Sequence, residues 1–355
     1  MLFKRLSSAV CCLLSFLFLL SCQTTPQPTQ TSLLLYRFNP PAFIEYSSEL
    51  QPIKEIPFSI PSNCGLNNTF PAPIGQFLLI ELSCPNGQTV LFLDTNSGST
   101  TQPITATDAH FLAWTSDGKS AYLKVDSLGN PHVMRARVDG RQDQISISEY
   151  TYDLAVNPVN DDLVFAFSRG LGNGSELHST QYAAPSTQQL YADQYNYISF
   201  ARWSPDGKQI AFLKIPDTQT PFTVGELWII GADGSNPRKL ADADAGHGYA
   251  ANWSPDGKRI AFVVRENSQD KNADQNSNAL ISNIYIIDIE SGKLNQITNF
   301  DNGHVETPFW SPDGNTLAFN VVLNGRMTVS IADVATGEIK PLETESACCL
   351  AWMRK

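Results

Sequence analysis

Between residues 198 and 340, apolar side chains come in short alternating runs separated by polar turns. Ala201-Arg-Trp203 is an apolar lead-in, Ser204-Pro-Asp-Gly207 a turn, and Gln209-Ile-Ala-Phe212 an alternating run; the same order recurs at Ala251–Phe262 and Pro308–Phe319. Alternation at a period of two predicts strands rather than helices. A third run follows in each unit, as at Glu226–Ile230 or Ile284–Asp288, and stops at a second turn marked by Gly234, Gly292 or Gly337. A short fourth run, such as Pro237–Leu240 or Gln296–Thr298, completes it. Four antiparallel strands in about 40 to 50 residues make one propeller blade.

The pattern continues outward in weaker copies. Leu112–Gly118 and Leu154–Asn160 keep the lead-in and turn, Phe70–Gly75 is degenerate, and Cys349–Trp352 is a last lead-in. The anchors Phe70, Trp114, Asn157, Trp203, Trp253, Trp310 and Trp352 stand 42 to 57 residues apart. Six units are complete, and the seventh lead-in needs partners. Leu33–Phe38, Ala42–Tyr46 and Pro52–Ile56 read as three short strands that can supply them. The expectation is therefore an all-β propeller over residues 32–355, most simply of seven blades, closed by three N-terminal strands and one C-terminal strand so that no sheet edge is bare. Six or eight blades are the alternatives.

The turn has a direct physical basis. Proline presets φ, Asp bonds its own backbone and Gly takes the positive φ that returns the chain. Asp117, Asp206, Asp256 and Asp313 recur once per blade where the turn demands them, so they read as turn formers and not as catalytic carboxylates. The Trp-Ser-Pro-Asp-Gly element resembles the repeat of TolB-type, WD-like bacterial propellers, strongly over residues 198–340 and more weakly, but in phase, over 64–197. TolB itself carries a further N-terminal α/β domain that contacts Tol partners. Nothing in this sequence matches it, so the resemblance implies no Tol role. It also extends to the propellers of prolyl oligopeptidase-like enzymes, but the repeats occupy residues 32–355 and leave none of them for a hydrolase domain.

The first 22 residues change the picture of where the ring works. Lys4 and Arg5 precede an apolar run, Ala9–Leu20, that is too short to span a bilayer, and Ser21-Cys22 follows. This is signal-peptide anatomy over residues 1–21, and Leu19-Leu-Ser-Cys22 resembles the lipobox of bacterial lipoproteins, which implies a lipidated Cys22. Residues 22–31 are uncharged and rich in Pro, Thr and Gln, as suits a flexible tether. The resulting expectation is an exported protein held to a bacterial membrane only through its lipid, at the outer membrane in a diderm, facing the periplasm or the cell surface. Replacing Cys22 by Ala is expected to abolish acylation and leave an unprocessed precursor; radiolabelled palmitate incorporation and the mass of the N-terminal peptide check this.

Export also sets the redox compartment. Of seven cysteines, Cys64, Cys84, Cys348 and Cys349 remain in the mature ring. Cys64 enters the first strand of its blade and Cys84 lies in the turn after the second, so these two are expected to pair. Cys348 and Cys349 are adjacent within a strand, cannot easily bridge each other, and are expected to be reduced or vicinally strained. The formal charge is −11, and loss of Lys4 and Arg5 takes it to −13, the wrong sign for nucleic acid.

Catalytic signatures are sparse. There is no Gly-x-Ser-x-Gly elbow, phosphate loop, His-Glu-x-x-His or zinc-spaced Cys/His set, no cofactor is called for, and Gly170–Gly174 reads as a loop. From Trp to the second-turn Gly the third, first and second close copies measure 27, 31 and 39 residues, the excess lying in polar inserts at Pro216–Phe222 and Glu266–Asn278. Antiparallel geometry puts those inserts on the face where the innermost strands begin. His247 and His304 each precede their tryptophan by six residues, with Tyr197 and Asp108 at the same place in other blades and Glu306 nearby. These five are the candidate ligand-binding residues at the channel mouth. The sequence thus points to a monomeric, non-enzymatic scaffold for an extracytoplasmic protein or glycan; the alternative is a polysaccharide lyase or hydrolase using the histidines and a carboxylate.

Overall fold

The computed structural model describes residues 31–104, 108–126, 129–170, 172–181, 186–218, 220–245, 250–343 and 347–354. Cys22 and His247 lie outside the described residues. Seven four-stranded antiparallel sheets form the ring. Six are built from consecutive strands, and the seventh joins Thr31–Phe38, Pro41–Tyr46 and Pro52–Pro57 to the C-terminal strand Ala347–Arg354. The N- and C-terminal strands are thus zipped together, Leu33 opposite Trp352 and Tyr36 opposite Cys348.

The hydrophobic core sits between blades. Ala261, Val263 and Ile284 of one blade pack on Val305, Trp310 and Leu317 of the next, and Leu33, Leu35 and Ile44 pack on Ala318 and Ile331. Tryptophan does this work with both its ring and its nitrogen. The indole N–H of Trp114, Trp203, Trp253 and Trp310 donates across the blade boundary to the carbonyls of Phe70, Ala155, Arg202 and Asn252, at 2.9, 3.3, 3.0 and 2.9 Å. Each bond satisfies a donor that would otherwise be buried without a partner.

The repeated turns form as the residue types require. Ser204 Oγ donates to Asp206 Oδ1 at 2.7 Å and Ser311 Oγ to Asp313 Oδ1 at 2.6 Å, and these hydroxyls hold both carboxyls below the ordinary carboxylate range. Gly118 shows why glycine ends the motif: its φ is +64°, and a Cβ there would lie 2.2 Å from the Ile74 carbonyl oxygen of the neighbouring blade.

Cys64 and Cys84 are joined, with Cα atoms 4.2 Å apart and a sequence separation of 20. The pairing of Gly65 with Ser83 brings them side by side. A loop of that size stabilises the fold by about 3 kcal/mol through the unfolded chain. Cys348 is also disulfide-bonded, so of the two expected states, reduced or vicinally strained, the reduced thiol does not hold at that position.

Candidate functional site

Two regions of the ring are built differently from the repeat. The first is the insert face. Arg265 ends its strand 4% exposed, and its guanidinium is the hub of the neighbouring loops. Nη1 donates to the Phe222 carbonyl at 2.9 Å, and Nη2 to the Asp270 carbonyl at 3.0 Å and to Asp274 Oδ1 at 2.9 Å. A buried cation is tolerable only with such a set of acceptors. The Phe222 amide returns a bond to the Asp274 carbonyl, so the two inserts are stitched to each other. Ala273 and Leu280 are fully buried beneath, Asn267 bonds Ala279 and Ile281, and a 3-10 turn, Ser277–Ala279, is capped by Asn276. Outward it presents Glu266, Asp270, Lys271, Asn272 and Gln275. The inserts therefore form an ordered platform, which their polar composition did not announce.

At the channel mouth the described candidates do not gather into one cluster. His304 is 5% exposed, with Nε2 3.3 Å from Glu306 Oε1. The expectation of an accessible His304 is not met, because the strand turns this imidazole into the blade. Asp108 accepts from the Gln88 amide at 2.8 Å and lies 3.4 Å from His110. His110 also faces Glu81 at 3.5 Å, and bonding to Glu81 raises the imidazole pKa above its ordinary value. Tyr197 meets Tyr152 edge-on, centroids 6.2 Å apart. Of the four described mouth candidates the structure joins His304 and Glu306, Asp108 and Tyr197 having other neighbours. Glu81 and His110 were missed because nothing in their local sequence announces them: they come together across two blades.

The second region is the channel itself. A cavity of about 580 Å³ is lined by the later halves of the innermost strands, from Asn68–Pro71 through Phe111–Trp114, Tyr152–Val156 and Ser199–Trp203 to Thr307 and Phe309. It lies toward the Ser-Pro-Asp-Gly turns, away from the described mouth candidates. Its walls are mainly apolar, with Phe70 stacked on Phe111 at 4.1 Å. Asp153 and Arg202 are its charged lining residues. Asp153 Oδ2 accepts from the Ala201 amide at 2.7 Å, Oδ1 stands 3.8 Å from Arg202 Nη1, and burial pushes the carboxyl pKa up. Two wall residues are strained: Phe200 and Thr307 have φ of 57° and 47°, at points where strand pairing slips between Ser199 and Arg202 and between Glu306 and Phe309. A bulky or β-branched side chain there is a marked departure from the allowed backbone regions.

No family model and no curated protein matches the sequence. Among solved structures, TolB from Acinetobacter baumannii superposes with a TM-score of 0.53 at 18% identity, covering 89% of this chain and 79% of that one. An oligogalacturonate lyase in complex with manganese gives 0.57 at 15%, covering 88% and 85%. A puromycin-hydrolysing peptidase of Mycobacterium tuberculosis gives 0.60 at 12%, with this chain spanning half of its length. Among the described residues no cluster of three His, Cys, Asp or Glu side chains is arranged to hold a metal ion. Identities this low establish architecture alone: in fold, the chain is a seven-bladed β-propeller similar to that of TolB.

Proposed function

We propose that this chain is an exported, lipid-anchored propeller that binds an extracytoplasmic protein through the insert platform and does not transform it. The observation that carries the reading is the Arg265 hub. A buried guanidinium spends its hydrogen bonds on ordering two loops that the ring does not need for closure, on the face where one blade after another begins. Ordering loops in advance removes part of the entropy that association must otherwise overcome. The exposed amides and carboxylates above it suit a polar, water-rich contact.

The catalytic alternative has less support. Its described histidine, His304, is 5% exposed and lies 3.3 Å from Glu306, so little of the imidazole is open to a glycan. A photo-crosslinking residue placed at Gln275, exposed on the platform, is expected to give a discrete protein adduct in cells, and one at Lys208, exposed on the turn face, none. Adducts only from Lys208 would overturn the reading.

A further inference from the structure

The central cavity is independent of the platform and invites a different occupant. Its volume, about 580 Å³, falls in the range of about 300 to 1,000 Å³ typical of small-molecule sites and is too small for a folded partner. Phe70, Phe111, Phe200 and Phe309 supply flat apolar walls. The polar chemistry converges on one cation. Arg202 has a side chain 36% exposed, its Nη1 donates to its own neighbour's carbonyl, Ala201, at 2.7 Å, and the Asp153 carboxylate stands 3.8 Å away, outside hydrogen-bond reach. Asp153 instead accepts from the Ala201 amide. The Arg202 guanidinium is left with Nε and Nη2 that have no acceptor among the described residues, a planar fork shaped for a carboxylate. Arg202 is the single positive charge among the described lining residues and the Asp153 carboxyl beside it repels further negative charge, so the site suits one carboxylate better than a phosphate dianion. The strained backbone at Phe200 and Thr307 sits in this same wall, where conformations of this kind gather at ligand sites.

We infer that the central cavity binds a small monocarboxylate with a flat apolar body, the carboxylate on Arg202 and the body against the Phe70–Phe111 pair. The test uses the full mature chain and two isosteric probes, 2-naphthoate and neutral 2-naphthylmethanol, followed by calorimetry and by quenching of Trp114 and Trp203, which line the cavity. The expected result is saturable binding at one site per chain, with naphthoate preferred by about tenfold or more, the worth of a charge-assisted contact. Arg202→Met is expected to erase that preference while leaving naphthylmethanol binding unchanged. Equal affinities for the two probes in the unaltered chain, or no saturation by naphthoate up to about 1 mM, would overturn the inference. The ratio of probe affinities in the unaltered chain decides the matter even where the variant fails to fold.

Discussion

A chain ending at Glu345 is expected to lose its cooperative unfolding transition. The missing strand, Ala347–Arg354, is the innermost of its sheet, and Ala347, Cys348 and Met353 are 0%, 5% and 0% exposed. Its removal also uncovers Leu33, Leu34 and Tyr36, now buried against it or beside it. Each large apolar side chain returned to water costs about 1.5 to 3 kcal/mol, so a few consume the roughly 5 to 15 kcal/mol that hold a domain folded. The opening would also bare a strand edge along Thr31–Arg37. Circular dichroism melts are the check, with a synthetic peptide of residues 346–355 added in trans as rescue. A truncated chain that melts as sharply as the parent, at nearly the same temperature, would contradict closure by the two termini.

Trp310→Ala is expected to destabilise by about 3 to 5 kcal/mol. The ring is 7% exposed in the core shared with Ile297, Val305 and Leu317, and its indole bonds Asn252 across the blade boundary. The Arg259 guanidinium lies 4.8 Å from its centroid on one face. Trp310→Phe keeps most of the apolar area and is expected to lose about 1 to 2 kcal/mol, mainly the hydrogen bond and some volume. Urea midpoints at constant slope read both values. A cost for the alanine variant below that of the phenylalanine variant would remove tryptophan from its role between blades.

Those two results concern features that the sequence displays openly. Blade number, ring closure and the Cys64–Cys84 bridge were legible because each rests on local signals repeated in phase: alternation, the Ser-Pro-Asp-Gly turn, and the position of a cysteine within its unit. The roles of Asp206 and Asp313 followed from the same repetition. The site was less legible for physical reasons. His304 and Tyr197 were placed correctly along their strands, yet the bulge beyond Glu306 and the packing of Tyr152 decide where their side chains face, and no glycine marks that bulge. Phe200 and Thr307 adopt positive φ where residue type argues against it. Asp153 and Arg202 meet from strands in different blades, a proximity that only the closed ring creates. Arg265 could not be read from sequence, because its acceptors are mostly backbone carbonyls, which have no sequence signature.

The most direct measurement joins that arginine to function. In Arg265→Met the platform loses its hub and Asp274 its buried partner, leaving it only the exposed Lys271, so amide exchange is expected to rise sharply across residues 266–281. The blade strands should stay protected, and the adduct formed from Gln275 in cells should disappear. An adduct of parental strength from Gln275, with the platform shown by exchange to be open, would contradict the claim that this ordered face is where the propeller binds its partner.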